Sequence, residues 1–161
     1  MRILITALLL VTLSSNVFGE EIMQGKEQSQ TLYDSAILFA QQMLEQHGEF
    51  LPYAEALKSN GEISALGADM DKEFPKSSEV IDLLRNHLKE EAVKGTYVAT
   101  AIIYDVRVRL PSSEEISDAI AIQLNHVSGY SVIVYKPYKL TDSSIVYGAL
   151  FVHAGRNDVF D

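Results

Sequence analysis

The residues best placed to do chemistry are charged and lie on two neighbouring apolar stretches. Asp105, Arg107 and Arg109 alternate along YVATAIIYDVRVRL, and Asp118 lies in the next such stretch, ISDAIAIQLNHV. Alternate residues of a β-strand point to the same face, so we expect the first three side chains to share one face. A ladder of opposite charges commonly completes a sheet surface, whereas the planar fork of arginine can also bind a carboxylate or a partner chain. Both interpretations stay open, and we take these four residues as candidate binding residues.

Tyrosines are concentrated in the same predicted strands. A tyrosine has an apolar ring and a polar hydroxyl, which suits the rim of a sheet and also an interface. We therefore add Tyr53 and Tyr138 to the candidate binding residues. The alternative is that these side chains only fill the core and its rim.

Other chemistries have little support. The chain has no cysteine, which excludes thiolate nucleophiles and cysteine-ligated metals. The four histidines do not pair at a spacing typical of metal ligands, and no G-x-S-x-G elbow is present. We assign no catalytic residue, no metal site and no cofactor. An enzyme of an unrecognised type would use Asp118 or His126.

The composition is acidic, with 13 Lys and Arg against 22 Asp and Glu and a net charge of −9. Such a field repels nucleic acid and anionic membranes, so we predict no nucleic-acid partner. It would steer a cationic partner towards the protein, although a need for solubility explains the same excess of acidic residues.

The first residues have the layout of a secretory signal peptide. Arg2 precedes an apolar run from Ile3 to Leu13, and Val17-Phe18-Gly19 resembles a cleavage site. The run is shorter than the roughly 20 residues that span a bilayer. We predict cleavage after Gly19, a periplasmic or secreted protein, and no membrane insertion once the signal is removed.

The rest of the chain is expected to hold a flexible lead-in over residues 20–30 and one domain over residues 31–161. Apolar residues recur at helical spacing from Thr31 to His47 and again after Ser77. Between these helices, Asn60-Gly61 joins two short apolar runs, which is a strong hairpin signal. This pattern favours a structural hairpin over a loop that binds an anion.

The second half of the domain reads as strands separated by turns. The predicted strands are Tyr97–Leu110, Ile116–Val127, Tyr130–Tyr138 and Ile145–Ala154. The last seven residues, from Gly155 onwards, are expected to be polar and loose apart from Val159 and Phe160. The alanines of the first two strands are expected to share one small-sided face, which either another part of the chain or a second chain would cover: Ala99, Ala101, Ala119 and Ala121.

These elements predict an α+β fold, in which an antiparallel sheet of about five or six strands has two helices on one face. The element order is similar to that of roadblock/longin and profilin-like domains. Such folds carry unrelated functions, so this analogy predicts architecture only.

Several short motifs together resemble a group of small bacterial proteins with no assigned function. The motifs are Phe50-Leu51-Pro52-Tyr53-Ala54, the Asn60-Gly61 turn, the DVRV segment Asp105–Val108, Asp118-Ala119-Ile120, and Tyr147-Gly148-Ala149-Leu150-Phe151. The resemblance would cover most of the chain after the signal peptide. It implies no activity, and it marks Tyr53, Asp105, Arg107 and Asp118 as hallmarks of the group with no assigned catalytic role.

From these observations we expect an exported, non-catalytic binding protein. Its partner would be another protein or a second copy of itself, bound through a sheet face or edge. One alternative is an inhibitor or immunity-type protein that neutralises a cationic partner, which the acidic charge would favour. The other is an enzyme of an unrecognised type.

Overall fold

A computed structural model describes residues 14–69, 75–142 and 144–161. The greater part of the predicted signal peptide, residues 1–13, lies outside these ranges. The helices and strands, in chain order, are α1 (Ser14–His47), β1 (Tyr53–Lys58), β2 (Ile63–Leu66), α2 (Ser77–Val93), β3 (Tyr97–Arg109), β4 (Ile116–His126), β5 (Ser131–Leu140), β6 (Ile145–Tyr147) and β7 (Phe151–Ala154). Neither helix has, among the described residues, an apolar stretch long enough to cross a membrane.

All the strands belong to one antiparallel sheet with the order β2-β1-β3-β4-β5-β6, and β7 also pairs with β5. This arrangement confirms the α+β class. The hairpin prediction is also confirmed, because β1 and β2 pair across the turn and the Lys58 N–H donates to the Glu62 carbonyl at 2.9 Å. Gly61 has a φ of +86°, a conformation that glycine adopts without steric cost.

The two helices lie on opposite faces of the sheet, which corrects the prediction that they share one face. The core beneath α1 contains Ala101 and Ile103 of β3, whereas the core beneath α2 contains Ile102. Consecutive residues of a strand point to opposite faces. The central strand is therefore apolar in both alternating positions because it is covered on both sides.

The predicted alanine face does not exist. Ala101 pairs with Leu124 and is buried under α1, whereas Ala121 pairs with Tyr104 on the opposite face. The error comes from the register between β3 and β4, which the alternation within a single strand does not reveal. The four alanines therefore lie in two buried layers, one on each face of the sheet, and form no exposed surface.

Helix α1 starts at Ser14, well before the predicted start at Thr31, and residues 20–30 are helical rather than an irregular lead-in. Gly25 and Ser29 are buried within this stretch. Their small size lets the helix lie close to the end of β4, where His126 and Ser128 are in contact distance of Gly25. The spacing of large apolar residues does not reveal a helix face that packs through small residues such as Gly25 and Ser29.

The chain after β7 is anchored, not loose as predicted. Asn157 donates to the His126 carbonyl at 2.9 Å, and Asn125 donates to the Arg156 carbonyl at 2.8 Å. Val159 is buried in the core beneath α2. The last residues therefore cover part of the sheet that α2 leaves open.

Candidate functional site

Half of β3 has no strand on one side. β1 pairs with β3 only as far as Tyr53 opposite Ile103, whereas β4 pairs with β3 as far as Arg109 opposite Ile116. Among the described residues, no strand pairs with residues 104–109 on the β1 side. We call this segment the open edge of β3.

The backbone groups that point outwards from the open edge follow from the ladder that β3 makes with β4. The Leu110 N–H donates to the Glu115 carbonyl at one end of that ladder, and the Val127 N–H donates to the Val98 carbonyl at the other. Even-numbered residues of β3 therefore bond to β4, because backbone groups alternate sides along a strand. The N–H and C=O groups of Asp105, Arg107 and Arg109 consequently face the open edge.

The side chains next to this edge pair with neighbouring strands. The Tyr138 hydroxyl on β5 donates to Asp105 Oδ1 at 2.8 Å, reaching across β4. Arg107 Nε donates to Asp118 Oδ1 at 3.1 Å. The Arg107 side chain is 80% exposed, so most of its guanidinium remains in contact with water. An exposed pair of this kind contributes little to stability, about 0–1 kcal/mol.

Burial and hydrogen bonding have opposite effects on the pKa of Asp105. Partial burial raises the pKa of the Asp105 carboxyl above its usual value, and the hydrogen bond from Tyr138 opposes that rise. Burial also raises the pKa of Tyr138, with the nearby Asp105 carboxylate adding to the effect. The tyrosine is therefore a stable hydrogen-bond donor and does not act as an acid near neutral pH.

The six candidate residues do not form a single site. The two contacts above form the pairs Asp105–Tyr138 and Arg107–Asp118, and Arg109 donates to the nearby Glu114 carbonyl at 2.9 Å. Tyr53 is placed differently, and its assignment to an exposed binding surface is corrected here.

Tyr53 is buried beneath α1, and its hydroxyl donates to the Ala36 carbonyl at 2.6 Å. The ring also contacts Phe39 edge to face. Tyr138 is also buried, and its hydroxyl contacts Asp105. The exposed part of the candidate surface therefore consists of the four charged residues.

The residues suggested for an enzyme are occupied by structural contacts. The Ser128 N–H donates to His126 Nδ1 at 2.9 Å, and His126 Nε2 lies 2.7 Å from Gln28 Oε1. Nδ1 thus accepts a hydrogen bond and Nε2–H donates one, which fixes a neutral ring. Burial lowers the pKa of His126 in agreement with this arrangement. Asp118 pairs with Arg107 as described.

A second site was missed in the sequence. Glu55 lies on the face of β1 beneath α1, and only 4% of the residue is exposed. Its Oε2 atom has no hydrogen-bond partner among the described residues, although the Ser35 side chain favours the charged carboxylate. The only available signal was its position between Tyr53 and Leu57, two residues that share its face.

Glu55 lines a cavity of about 430 Å³ between α1 and the β1–β2 hairpin. The cavity exists because small residues surround the carboxylate: Glu55 pairs with Ala101 on one side and Ala65 on the other. Phe39 and Tyr53 supply aromatic walls. Burial raises the pKa of Glu55 above its ordinary value of 4.5.

The described residues contain no group of three or more potential metal ligands. No protein family, curated protein or solved structure gave a match to the chain.

Proposed function

We propose that the protein is an exported, non-catalytic binding protein that takes up an extended segment of a partner protein at the open edge of β3. The observation that carries this proposal is the outward orientation of the N–H and C=O groups of Asp105, Arg107 and Arg109. An added strand would satisfy these groups and extend the sheet, which is a common mode of peptide recognition.

The side chains at the edge would select the segment. Charged side chains on an edge strand discourage indiscriminate pairing, because a partner must match them. A segment with an acidic residue beside Arg107 and a basic residue beside Asp105 would form favourable cross-strand pairs. Arg107 has an exposed guanidinium available for such a contact.

A second copy of the chain is the other candidate partner at this edge. If two edges pair antiparallel about Arg107, Asp105 of each copy lies opposite Arg109 of the other copy. Two opposite-charge pairs would then form, although the two Arg107 side chains would face each other. Sedimentation of the protein over a range of concentrations distinguishes this self-association from binding of a different protein.

The test replaces Arg107 by proline. The Arg107 N–H points away from β4, so proline removes an outward donor and leaves the β3–β4 ladder intact. A photo-crosslinking residue at position 109 should give one crosslinked product in cells, and Arg107→Pro should abolish it. Arg107→Ala retains the backbone donor and should weaken crosslinking only in part.

The control is the same crosslinking residue at Glu90, an exposed position on α2. Circular dichroism of Arg107→Pro should match that of the parent protein. Crosslinking that persists in folded Arg107→Pro would contradict strand addition at this edge. Amino-terminal sequencing of the protein from the periplasm or medium tests export, with Glu20 as the expected first residue.

A further inference from the structure

The cavity at Glu55 takes no part in the strand addition proposed at the open edge. Its lining includes the acidic residue Glu55, the aromatic residues Phe39 and Tyr53, and the segment Ala65-Leu66-Gly67. None of the described residues that line it has a basic side chain. A volume of about 430 Å³ lies within the range of small-molecule sites, roughly 300–1,000 Å³.

Burying a carboxylate without a cation is unfavourable, because the charge loses the stabilisation that water provides. The Ser35 side chain favours the charged carboxylate, but Oε2 has no partner in the described part of the chain. The lining residues are otherwise apolar or aromatic apart from Ser35 and the Tyr53 hydroxyl, which already donates to the Ala36 carbonyl. A positively charged hydrogen-bond donor is the group that would complete this site.

The aromatic residues narrow the chemistry of that donor. The Phe39 and Tyr53 ring centroids are 5.0 Å apart and the rings are nearly perpendicular, so they present differently oriented surfaces. The face of an aromatic ring attracts a cation, and its apolar surface packs against methylene groups. An inorganic ion would gain little from this wall, whereas an organic ammonium ion would use both the carboxylate and the rings.

We propose that this cavity binds the ammonium group of an alkyl amine, with Glu55 as its counter-ion and Phe39 and Tyr53 as its aromatic walls. The ammonium pairs with the Glu55 carboxylate, and the alkyl chain leaves past Phe39, which is 46% exposed. The amine is either a free small molecule or the side chain of a lysine on another protein. This inference is independent of the open edge.

The test is a nuclear magnetic resonance titration of the ¹⁵N-labelled protein with n-butylamine hydrochloride at constant ionic strength. We expect saturable shifts at the amides of Ser35, Ala65 and Gly67, and no saturable shifts with 1-butanol, which lacks the charge. Equal responses to the amine and the alcohol, or no response to the amine beyond that to sodium chloride, would overturn the proposal.

Variants assign the response to particular side chains. Glu55→Gln keeps the shape and removes the charge, and should weaken amine binding by about tenfold or more. Glu49→Gln changes an exposed carboxylate outside the cavity and should leave affinity unchanged. Phe39→Leu, at a half-exposed position, should weaken binding by about threefold. Unchanged affinity in Glu55→Gln would exclude Glu55 as the counter-ion.

A second probe separates the two sources of the amine. Nα-acetyl-lysine methylamide presents the same ammonium group on a peptide-like backbone. Tighter binding of this compound than of n-butylamine would identify a lysine side chain of another protein as the ligand. Tighter binding of n-butylamine would identify a free amine.

Discussion

Glu55 shows how one side chain can work against the stability of the fold that contains it. Its neighbours across the sheet are alanines, and its backbone belongs to a strand whose other residues are almost all buried. A buried carboxylate with one unpartnered oxygen costs free energy, and natural cores seldom keep such groups without a role. The same property that weakens the fold makes Glu55 a candidate for binding.

The charge of Glu55 should make stability fall as pH rises. Because burial raises its pKa in the folded protein, the folded state holds the proton at pH values where the unfolded chain has lost it. The contribution of Glu55 to stability is therefore most favourable below the ordinary pKa of 4.5 and declines up to the raised pKa, above which the full cost is present. Tyr53, whose hydroxyl interacts electrostatically with Glu55, has a pKa raised above 10.0 and does not titrate in this range.

Replacing Glu55 by glutamine should consequently stabilise the protein at pH 7 by roughly 1–2 kcal/mol, because the buried charge is removed. Urea unfolding of the parent protein and of Glu55→Gln between pH 4 and 8 measures this, and the two curves should converge at the acidic end. Glu49→Gln is the control and should follow the parent. A Glu55→Gln protein that is less stable at pH 7 would show that the carboxylate has a stabilising partner.

Tyr138 tests the contact beside the open edge. Tyr138→Phe removes the hydroxyl that donates to Asp105 at 2.8 Å and should lower stability by about 1 kcal/mol. The pKa of Asp105 should rise, because the lost hydrogen bond favours the charged carboxylate. Carboxyl titration by nuclear magnetic resonance measures the pKa, and Tyr135→Phe serves as a control on the same strand. An unchanged Asp105 pKa would contradict the contact.

At the scale of elements, the position of α1 depends on a close approach to the sheet at Gly25. A methyl group at this position would lie 2.4 Å from Ser128 Oγ and 2.8 Å from His126 Nδ1. These atoms belong to the hydrogen-bonded cluster in which His126 contacts Gln28 on the next turn of α1. The helix is thus held by a polar contact that requires the absence of a side chain.

Gly25→Ala should therefore destabilise the protein by about 1–2 kcal/mol, even though alanine favours a helix by about 1 kcal/mol. Gln24→Ala, at the exposed neighbouring position, should be neutral or stabilising. Denaturant unfolding of both variants gives the comparison. Adding Ser128→Ala to Gly25→Ala should recover part of the loss, and a stabilised Gly25→Ala protein would show that α1 does not lie this close.

β3 pairs with β1 on one side and with β4 on the other, and it creates the open edge. Its 13 residues exceed the length of β1, which has six, so one partner strand ends before β3 does. The first part of β3 is buried on both faces, and its last part alternates half-buried valines with exposed charges. This change in burial along β3 marks the place beyond which α1 and β1 no longer cover the strand.

At the scale of the whole molecule, the carboxyl-terminal residues connect α2 to the sheet. Asp158 forms an ion pair with Arg85 of α2 at 3.0 Å and accepts a hydrogen bond from Gln123 of β4 at 3.0 Å. Val159 adds apolar contact to the core between these elements. The end of the chain therefore belongs to the folded unit.

Removing residues 157–161 should lower the free energy of unfolding by roughly 3 kcal/mol, since it deletes a buried valine and several hydrogen bonds. Removing only Asp161, which is exposed, is the control and should have little effect. Urea unfolding measures both. A truncated protein as stable as the parent would show that the tail adds nothing to the core.

The sequence predicted the elements that have strong local signals. The Asn60-Gly61 hairpin follows from turn chemistry, and the apolar runs of β3, β4 and β5 follow from composition and length. Among the candidate residues, the contact of Arg107 with Asp118 matches the predicted ladder across neighbouring strands. The burial of Tyr53 did not follow from the sequence, because an amphipathic ring fits a core as well as a rim.

The sequence alone determined the class of the fold, since alternation and helical periodicity are local properties of the chain. Only the tertiary structure decided which face each helix covers, where β1 ends beside β3, and that Glu55 lies in a cavity. These features depend on register and on contacts between residues far apart in the chain, and a shift of one residue would reverse every face. Both proposed binding sites arise from such contacts, at places where a neighbouring element stops short or a small side chain leaves space.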